Sequence, residues 1–197
     1  MEGVLRWADA VSFFGDELVQ HERFLSRATQ TTYGLLVSRS VQQGQTLLEN
    51  REGEHAEERL VLSPFWVSGV VNALESWDVR DAPMVVMLAI NRAPCASCSH
   101  ILAGELHALH RRFPLRVEKQ YFILASLGYY QGRDFMTNQL SPNTLNTRSV
   151  GSQRSQSVTT DRGLNELSDA GWRLCVMDFG HGVTSRGSEL LNFLRHR

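Results

Sequence analysis

Long hydrophobic runs and cysteines are scarce in this 197-residue chain. No run of about 18 apolar residues exists, which excludes a transmembrane helix of ordinary length. The N-terminus carries Glu2 and Asp9 where a signal peptide would have a basic segment before an apolar one. We therefore expect a cytoplasmic protein without a signal peptide or a membrane partner. Three cysteines, two of them in a Cys-x-x-Cys pair, cannot build a disulfide framework and favour metal or redox chemistry.

Lysine is also scarce, and the charges are unevenly distributed. Of the 20 basic residues only Lys119 is a lysine, and the net charge is −1. Residues 1–60 carry −4, residues 61–110 carry −2 and residues 111–197 carry +5. A basic C-terminal part permits contact with phosphates without requiring it.

No internal repeat or linker divides the chain, and its length is that of one domain of about 100–200 residues. We predict a single domain over 1–197, with an N-terminal helical extension over 1–29 and a core over 31–179. Inside the core, residues 129–160 predict a long polar loop, because 17 of these 32 residues are Ser, Thr, Asn or Gln. A C-terminal helix is predicted over 184–197.

The first part of the chain alternates between helical and extended patterns. Residues 4–28 have apolar positions at near-helical spacing and predict one or two amphipathic helices, with a break at Gly15. The segments TTYGLLVSRS and GQTLLEN predict a hairpin of two strands in which Gly44 supplies the turn geometry. A helical pattern then runs from His55 to about Ser76 and is interrupted by Pro64.

The second part of the chain predicts a sheet buried on both faces. The apolar run from Met84 to Ile90 is typical of a central strand, and CASCSHILAGELHALHRRF after it predicts a helix. VEKQYFILASL and WRLCVMDF predict two more strands, and DRGLNELSDAGW between them predicts a helix that ends at Gly171. A helical crossover of this kind makes the last two strands parallel. The alternation as a whole predicts an α/β sandwich.

Two short motifs stand at the predicted starts of helices on either side of the central strand. The first is His55-Ala56-Glu57, and the second is Pro94-Cys95-Ala96-Ser97-Cys98, forty positions further from His55 to Cys95. Two cysteines three apart at a helix start can hold one metal ion, and the helix N-terminus stabilises their thiolates. His55 would complete three protein ligands and leave a fourth position for water, which zinc acidifies to a pKa of about 7. Glu57 is about 200° around the helix from His55 and would flank that water as a proton carrier.

These residues resemble the zinc-dependent nucleobase deaminases of the cytidine deaminase superfamily, whose signature is H-x-E followed by P-C-x-x-C. The resemblance covers residues 31–179 in element order and is specific at HAE and PCASC. It implies a three-layer α/β/α sandwich with a five-stranded mixed sheet whose last two strands are parallel. It also implies that His55, Cys95 and Cys98 bind one catalytic zinc, and that Glu57 protonates the ring nitrogen during hydrolytic deamination.

Within the superfamily, the histidine ligand and the crossover are similar to the branch of tRNA adenosine deaminases, AID/APOBEC-like enzymes and bacterial toxin deaminases. Free-cytidine enzymes usually have cysteine at the position of His55 and a terminal hairpin. The resemblance therefore favours a toxin-type enzyme that converts cytosine to uracil in DNA, or alternatively in RNA, with single strands as the default. Such an enzyme could be an exported toxin domain, and it would then need an immunity protein in the producing cell.

The resemblance and the composition suggest further substrate-binding residues. Backbone groups of Ala56 and Ala93 are the counterparts of those that hold the base in such enzymes. His100 is close to the second motif, while Asn50 precedes the first and could hydrogen-bond a sugar or base or act as a turn residue. The polar loop supplies aromatic and arginine side chains suited to stacking bases and holding phosphates, namely Tyr129, Tyr130 and Arg133.

Two other functions fit the same sequence. The near-neutral net charge allows a deaminase of a free nucleoside, nucleotide or related heterocycle. The other function is that of a non-catalytic binding module whose fold is stabilised by zinc. In such a module Cys175 would be the fourth ligand of a closed Cys₃His site.

Overall fold

The computed structural model describes residues 3–27, 31–39, 44–51, 53–127 and 163–180. The predicted polar loop over 129–160 and the predicted C-terminal helix over 184–197 lie outside the described residues. The strands are β1 (Gly3–Arg6), β2 (Tyr33–Arg39), β3 (Gly44–Glu49), β4 (Val85–Ile90), β5 (Tyr121–Ser126) and β6 (Arg173–Asp178). The α-helices are α1 (Trp7–Phe14), α2 (Glu22–Leu25), α3 (Ala56–Val61), α4 (Pro64–Trp66), α5 (Asn72–Ser76), α6 (Ala96–Arg112), α7 (Pro114–Val117) and α8 (163–170). A 3₁₀ helix spans Asp16–His21, and a π-helical turn spans Val67–Val71.

The six strands of the described residues form one mixed sheet in the order β1-β6-β5-β4-β2-β3. The predicted hairpin is confirmed, since β2 pairs antiparallel with β3, and β2 also pairs antiparallel with β4. The last two strands, β5 and β6, are parallel, as the predicted crossover through α8 requires. Gly171, with φ 109°, ends that helix, and glycine is the residue that takes this backbone conformation without strain.

The sheet has six strands, so the predicted five is wrong. The additional strand is β1, which pairs parallel with β6 from Gly3 to Arg6 in a segment whose residues from 4 onward were predicted to be helical. Its side chains alternate, with Leu5 buried and Val4 44% exposed. Four residues are too few for a period of two to stand out against the helical pattern that follows.

Apolar clusters lie on both faces of the sheet. On one face, Val86, Leu88 and Ile90 of β4 belong to a cluster that also takes in residues of α3, α6 and α8. On the other face, their neighbours Val85 and Met87 pack with α1, the 3₁₀ helix and α2. The unbroken apolar run of β4 thus reflects a strand covered on both sides, as its sequence predicted.

Two glycines let chain segments approach the β2–β3 hairpin closely. A Cβ atom on Gly34 of β2 would lie 2.6 Å from Leu60 Cδ1 and 3.4 Å from Ala56 Cβ, so its absence allows α3 to lie against the sheet. Gly44 is not a turn glycine as predicted. It is the first residue of β3, and a Cβ there would overlap the ring of Phe65.

The helical pattern from His55 restarts where Pro64 was expected to interrupt it. Helix α3 ends at Val61, and Ser63 caps α4 by accepting a hydrogen bond from Trp66 N at 3.2 Å, with Pro64 in the first turn. None of the helices in the described ranges combines the length and hydrophobicity needed to cross a bilayer.

Candidate metal centre

His55 is presented at the start of α3 by a tight turn that follows β3. Arg51 and Glu54 form an isolated antiparallel bridge around Gly53, whose φ of 80° suits glycine. His55 is the N-cap residue of α3 in extended conformation, with φ −83° and ψ 153°, and it is exposed. Its imidazole is therefore held at the edge of the helix and remains accessible.

Cys95 and Cys98 lie at the start of α6, after the end of β4. Cys95 is the N-cap residue, and its sulfur accepts a hydrogen bond from Cys98 N at 3.5 Å. Cys98 lies one turn into the helix and is buried, while Cys95 is partly exposed. The pair thus occupies the positive end of a 17-residue helix, which stabilises negative charge on sulfur.

The fold brings the two motifs into one group. His55 Nδ1 lies 3.0 Å from Cys98 Sγ and 3.5 Å from Cys95 Sγ, and the two sulfurs are 3.5 Å apart. All three donor atoms lie within 4.8 Å of one another. One imidazole nitrogen and two thiolates can hold a single metal ion, and this donor set suits zinc. Three protein donors leave one position of a tetrahedral ion open.

Glu57 is the second residue of α3 and is only 3% exposed. Its Oε2 atom is buried without a hydrogen-bond partner among the described residues. Burial is the main cause that raises the pKa of this carboxyl, and the negative charge of Cys95 raises it further, while His55 lowers it. Buried polar atoms are nearly always paired, so an unpaired one beside three metal-binding side chains indicates a partner from outside the described residues.

The two thiols are electrostatically unequal in the metal-free protein. The hydrogen bond between their sulfurs is the main cause that lowers the pKa of Cys95 to about 5. The same bond raises the pKa of Cys98, which keeps the shared proton. A metal ion that binds here therefore meets one thiolate already formed and displaces one proton from Cys98.

The residues expected to offer backbone groups to a base lie beside the ligands. Ala56 is the first residue of α3 and is buried, and Ala93 is buried in the segment between β4 and α6. That backbone groups of Ala56 and Ala93 hold a base stays a prediction.

Asn50 and His100 make contacts of their own within the protein. Asn50 Oδ1 accepts a hydrogen bond from Thr32 N at 2.8 Å, which fits the turn role considered from sequence. His100 Nδ1 lies 2.7 Å from Glu166 Oε1, so this exposed histidine links α6 to α8.

Tyr129, Tyr130 and Arg133 lie outside the described residues. Cys175 is not part of the metal-binding group, because it packs in the cluster on the opposite face of the sheet from α6. A closed site with Cys175 as fourth ligand is therefore not formed.

Asn91 is a buried residue near the site that the sequence analysis missed. It directly follows β4, is 1% exposed and uses both atoms of its side-chain amide in hydrogen bonds. The available signal was a polar residue at the end of an apolar strand, four positions before Cys95.

Neither a scan against protein-family models nor a search of curated proteins finds a match for this chain.

Proposed function

We propose that this protein is a zinc-dependent hydrolytic deaminase that converts cytosine to uracil in nucleic acid. One observation carries the proposal. The buried Glu57 carboxyl, whose Oε2 has no partner among the described residues, lies beside the metal-binding group of His55, Cys95 and Cys98. A purely structural metal site has no use for a buried carboxyl without a partner, whereas a hydrolytic site needs a proton carrier at that position.

The residues present fit a zinc ion. His55, Cys95 and Cys98 would hold it, and bound zinc would supply a Lewis acid that lowers the pKa of a coordinated water to about 7. Because burial raises the pKa of Glu57, its carboxyl is suited to hold a proton taken from that water. Glu57 would then protonate the ring nitrogen of cytosine. It would next take the second proton of the attacking water from the new hydroxyl group on the ring carbon and pass it to the departing amine. Water and cytosine thus give uracil and ammonia, with no net change in the protonation of Glu57.

The parallel pairing of β5 and β6 supports a substrate within a polynucleotide. In the superfamily that the motifs resemble, a terminal hairpin is typical of free-cytidine enzymes, and this chain has a crossover instead. Histidine at position 55 points to the same branch, and so does the charge of +5 over residues 111–197. DNA is the favoured polymer, and single strands are the default because flipping a base out of a duplex costs a few kcal/mol.

The branch also contains toxins, and the proposal extends to a toxin-type enzyme. Such a protein would act after export and would need an immunity protein to protect the producing cell. Nothing on the described surface identifies a binding site for an immunity protein.

Deamination of a free nucleoside or nucleotide is the second candidate. The net charge of −1 favours it, since proteins that bind nucleic acid are usually basic over the whole domain. Cys175 lies on the opposite face of the sheet from α6, which argues against the third hypothesis, a non-catalytic module with a closed Cys₃His site.

A competition assay tests the proposal. Zinc-loaded protein is incubated with single-stranded DNA, duplex DNA, RNA, nucleosides and nucleotides together, and the products are quantified by mass spectrometry after digestion. Uracil arising chiefly in a polymer supports the proposal, and conversion of monomers alone selects the second candidate.

Glu57→Gln is the decisive variant, with Glu58→Gln as its matched control on the next, partly exposed position of α3. Loss of a general acid and base lowers the rate by about 10²–10⁴. We expect that loss in Glu57→Gln with zinc still bound, and near wild-type activity in Glu58→Gln. Full activity in Glu57→Gln would refute the catalytic role.

A further inference from the structure

Two asparagines connect the segments that carry the metal ligands. Asn50 directly follows β3 and precedes His55 by five positions, and Asn91 directly follows β4 and precedes Cys95 by four. Strands β3 and β4 do not pair with each other, because β2 lies between them and is antiparallel to both. The start of β2 is therefore beside the ends of β3 and β4.

Asn50 binds the residue just before β2. Its Oδ1 atom accepts a hydrogen bond from Thr32 N at 2.8 Å, and its own backbone N donates to Thr32 O at 2.9 Å. Both bonds join the segment that leads to His55 to the entrance of β2.

Asn91 binds the next residue along the chain. Its Oδ1 atom accepts from Tyr33 N at 2.9 Å, and its backbone N donates to Tyr33 O at 3.2 Å. Its Nδ2 atom also donates to Arg27 O and Thr31 O, both at 3.1 Å. The side chain is buried, so these bonds are shielded from competition by water.

These hydrogen bonds connect the segment that carries His55 with the segment that carries Cys95 and Cys98. Thr32 and Tyr33 are adjacent, and each is held by an asparagine from a different ligand-bearing segment. The segments that lead to His55 and to Cys95 are thus bonded to two neighbouring residues, Thr32 just before β2 and Tyr33 at its start.

We propose that Asn50 and Asn91 are positioning residues that hold the His55 segment and the Cys95–Cys98 segment in register for metal binding. The inference rests on the metal centre of the proposed function and adds residues that do not touch the ion. It differs from the sequence-based expectation that Asn50 binds substrate.

The two side chains use different atoms, which gives the inference a sharp test. In the contacts with the start of β2, Asn50 uses only its amide oxygen, which aspartate also has. Asn91 uses both the oxygen and the NH₂ group. Aspartate at this position would place a buried carboxylate oxygen next to the carbonyl oxygens of Arg27 and Thr31, to which it cannot donate a hydrogen bond. Asn50→Asp should therefore preserve the link, and Asn91→Asp should break it.

Metal affinity of the folded protein is the measurement. Metal-free full-length protein is titrated with Zn²⁺ and Co²⁺ against a chelator of known affinity, and the Co²⁺ absorption bands report the ligand geometry. Because partners that orient metal ligands are typically worth tenfold to a hundredfold in affinity, we expect a loss of about that size in Asn50→Ala, Asn91→Ala and Asn91→Asp. Asn50→Asp should bind metal like the wild type.

Two controls separate positioning from general destabilisation. Asn72→Ala removes an exposed asparagine from α5 and should change nothing. Leu18→Ala truncates a buried side chain on the opposite face and shows what loss of stability alone does to metal affinity. Circular dichroism and thermal unfolding establish that each variant is folded.

Wild-type affinity in folded Asn50→Ala and Asn91→Ala would overturn the inference, and so would an equal loss in Leu18→Ala. If the Asn91 variants do not fold, the contrast between Asn50→Ala and Asn50→Asp decides alone. Failure of the proposed function has a different signature, since it is seen in the wild type as absence of metal binding or of uracil formation.

Discussion

The starts of α3 and α6 face each other across the metal-binding group and shift acidity in opposite directions. At the start of α3, burial raises the pKa of the Glu57 carboxyl, whose Oε2 has no partner among the described residues. At the start of α6, the bond to Cys98 lowers the pKa of Cys95 to about 5, with help from backbone N–H groups. One helix start is suited to hold a proton and the other to hold negative charge. Burial at one helix start and the bond between two sulfurs at the other, and not the helix terminus alone, decide which form is stable.

The two helices also differ in what keeps them in place. Helix α6 has 17 residues and a capping sulfur, whereas α3 has six residues and no side-chain cap. A helix as short as α3 is not stable by itself, so it depends on packing against Gly34 of β2. The ligand on α3 is therefore placed by tertiary contacts, and the ligands on α6 are placed largely by their own helix.

Removing a sulfur ligand from α6 should have the largest effect. A metal that binds only the folded protein stabilises it by about 2.7 kcal/mol at a hundred times Kd. We expect Cys98→Ala to lose this stabilisation, measured as the shift in Tm on adding Zn²⁺. Cys175→Ala is the control, and it should keep the shift although its starting Tm is lower. An unchanged shift in Cys98→Ala would show that the metal binds elsewhere.

The acidity of Cys95 gives the next largest effect. In the metal-free protein, alkylation of Cys95 by iodoacetamide should rise with pH around a midpoint of about 5. In Cys98→Ala the main cause of the low pKa is gone, so the midpoint should move towards the ordinary value of about 8.5. Peptide mapping after alkylation at a series of pH values gives both midpoints. Coincident profiles would mean that the helix terminus alone lowers the pKa.

Gly34→Ala tests the dependence of α3 on packing. The added Cβ would lie 2.6 Å from Leu60 Cδ1 and 3.3 Å from Ile90 Cγ2, and Leu60 is fully buried. We expect a loss of about 1–3 kcal/mol in the free energy of unfolding, as is usual when a packed core is overfilled. Urea unfolding measures it. Leu60→Ala should cost less in the Gly34→Ala background than in the wild type, and additive effects would exclude the steric cause.

Gly104→Ala should have the smallest effect and the opposite sign. Gly104 lies in the middle of α6, is exposed, and has nothing within 4 Å of the position of a new Cβ. In a helix interior, alanine is more favourable than glycine by about 0.5–1 kcal/mol, so the free energy of unfolding of the variant should be higher by that amount. Chemical denaturation provides the measurement. A loss of stability would show that α6 is constrained by contacts along this face.

The elements that the sequence predicted are those with a strong local pattern. The strand in the apolar run from Met84 to Ile90, the hairpin before it and the helix that follows Cys95 are all confirmed. Strand β1 was missed because its partner β6 is about 170 residues away, and four residues carry no period of their own. Gly44 was predicted to lie in the turn but begins β3, and its contact with the ring of Phe65 could not be foreseen because Phe65 belongs to another element.

By itself, the sequence determined which side chains can bind a metal, since the identity of His55 and the Cys-x-x-Cys spacing of Cys95 and Cys98 are local properties. It also determined the helix after β5 and hence the parallel direction of the last strand. Only the tertiary structure decided that the two motifs meet within 4.8 Å, that Glu57 is buried and that Cys175 lies on the opposite face. These facts depend on contacts between residues far apart in the chain, and such contacts leave no mark on local periodicity.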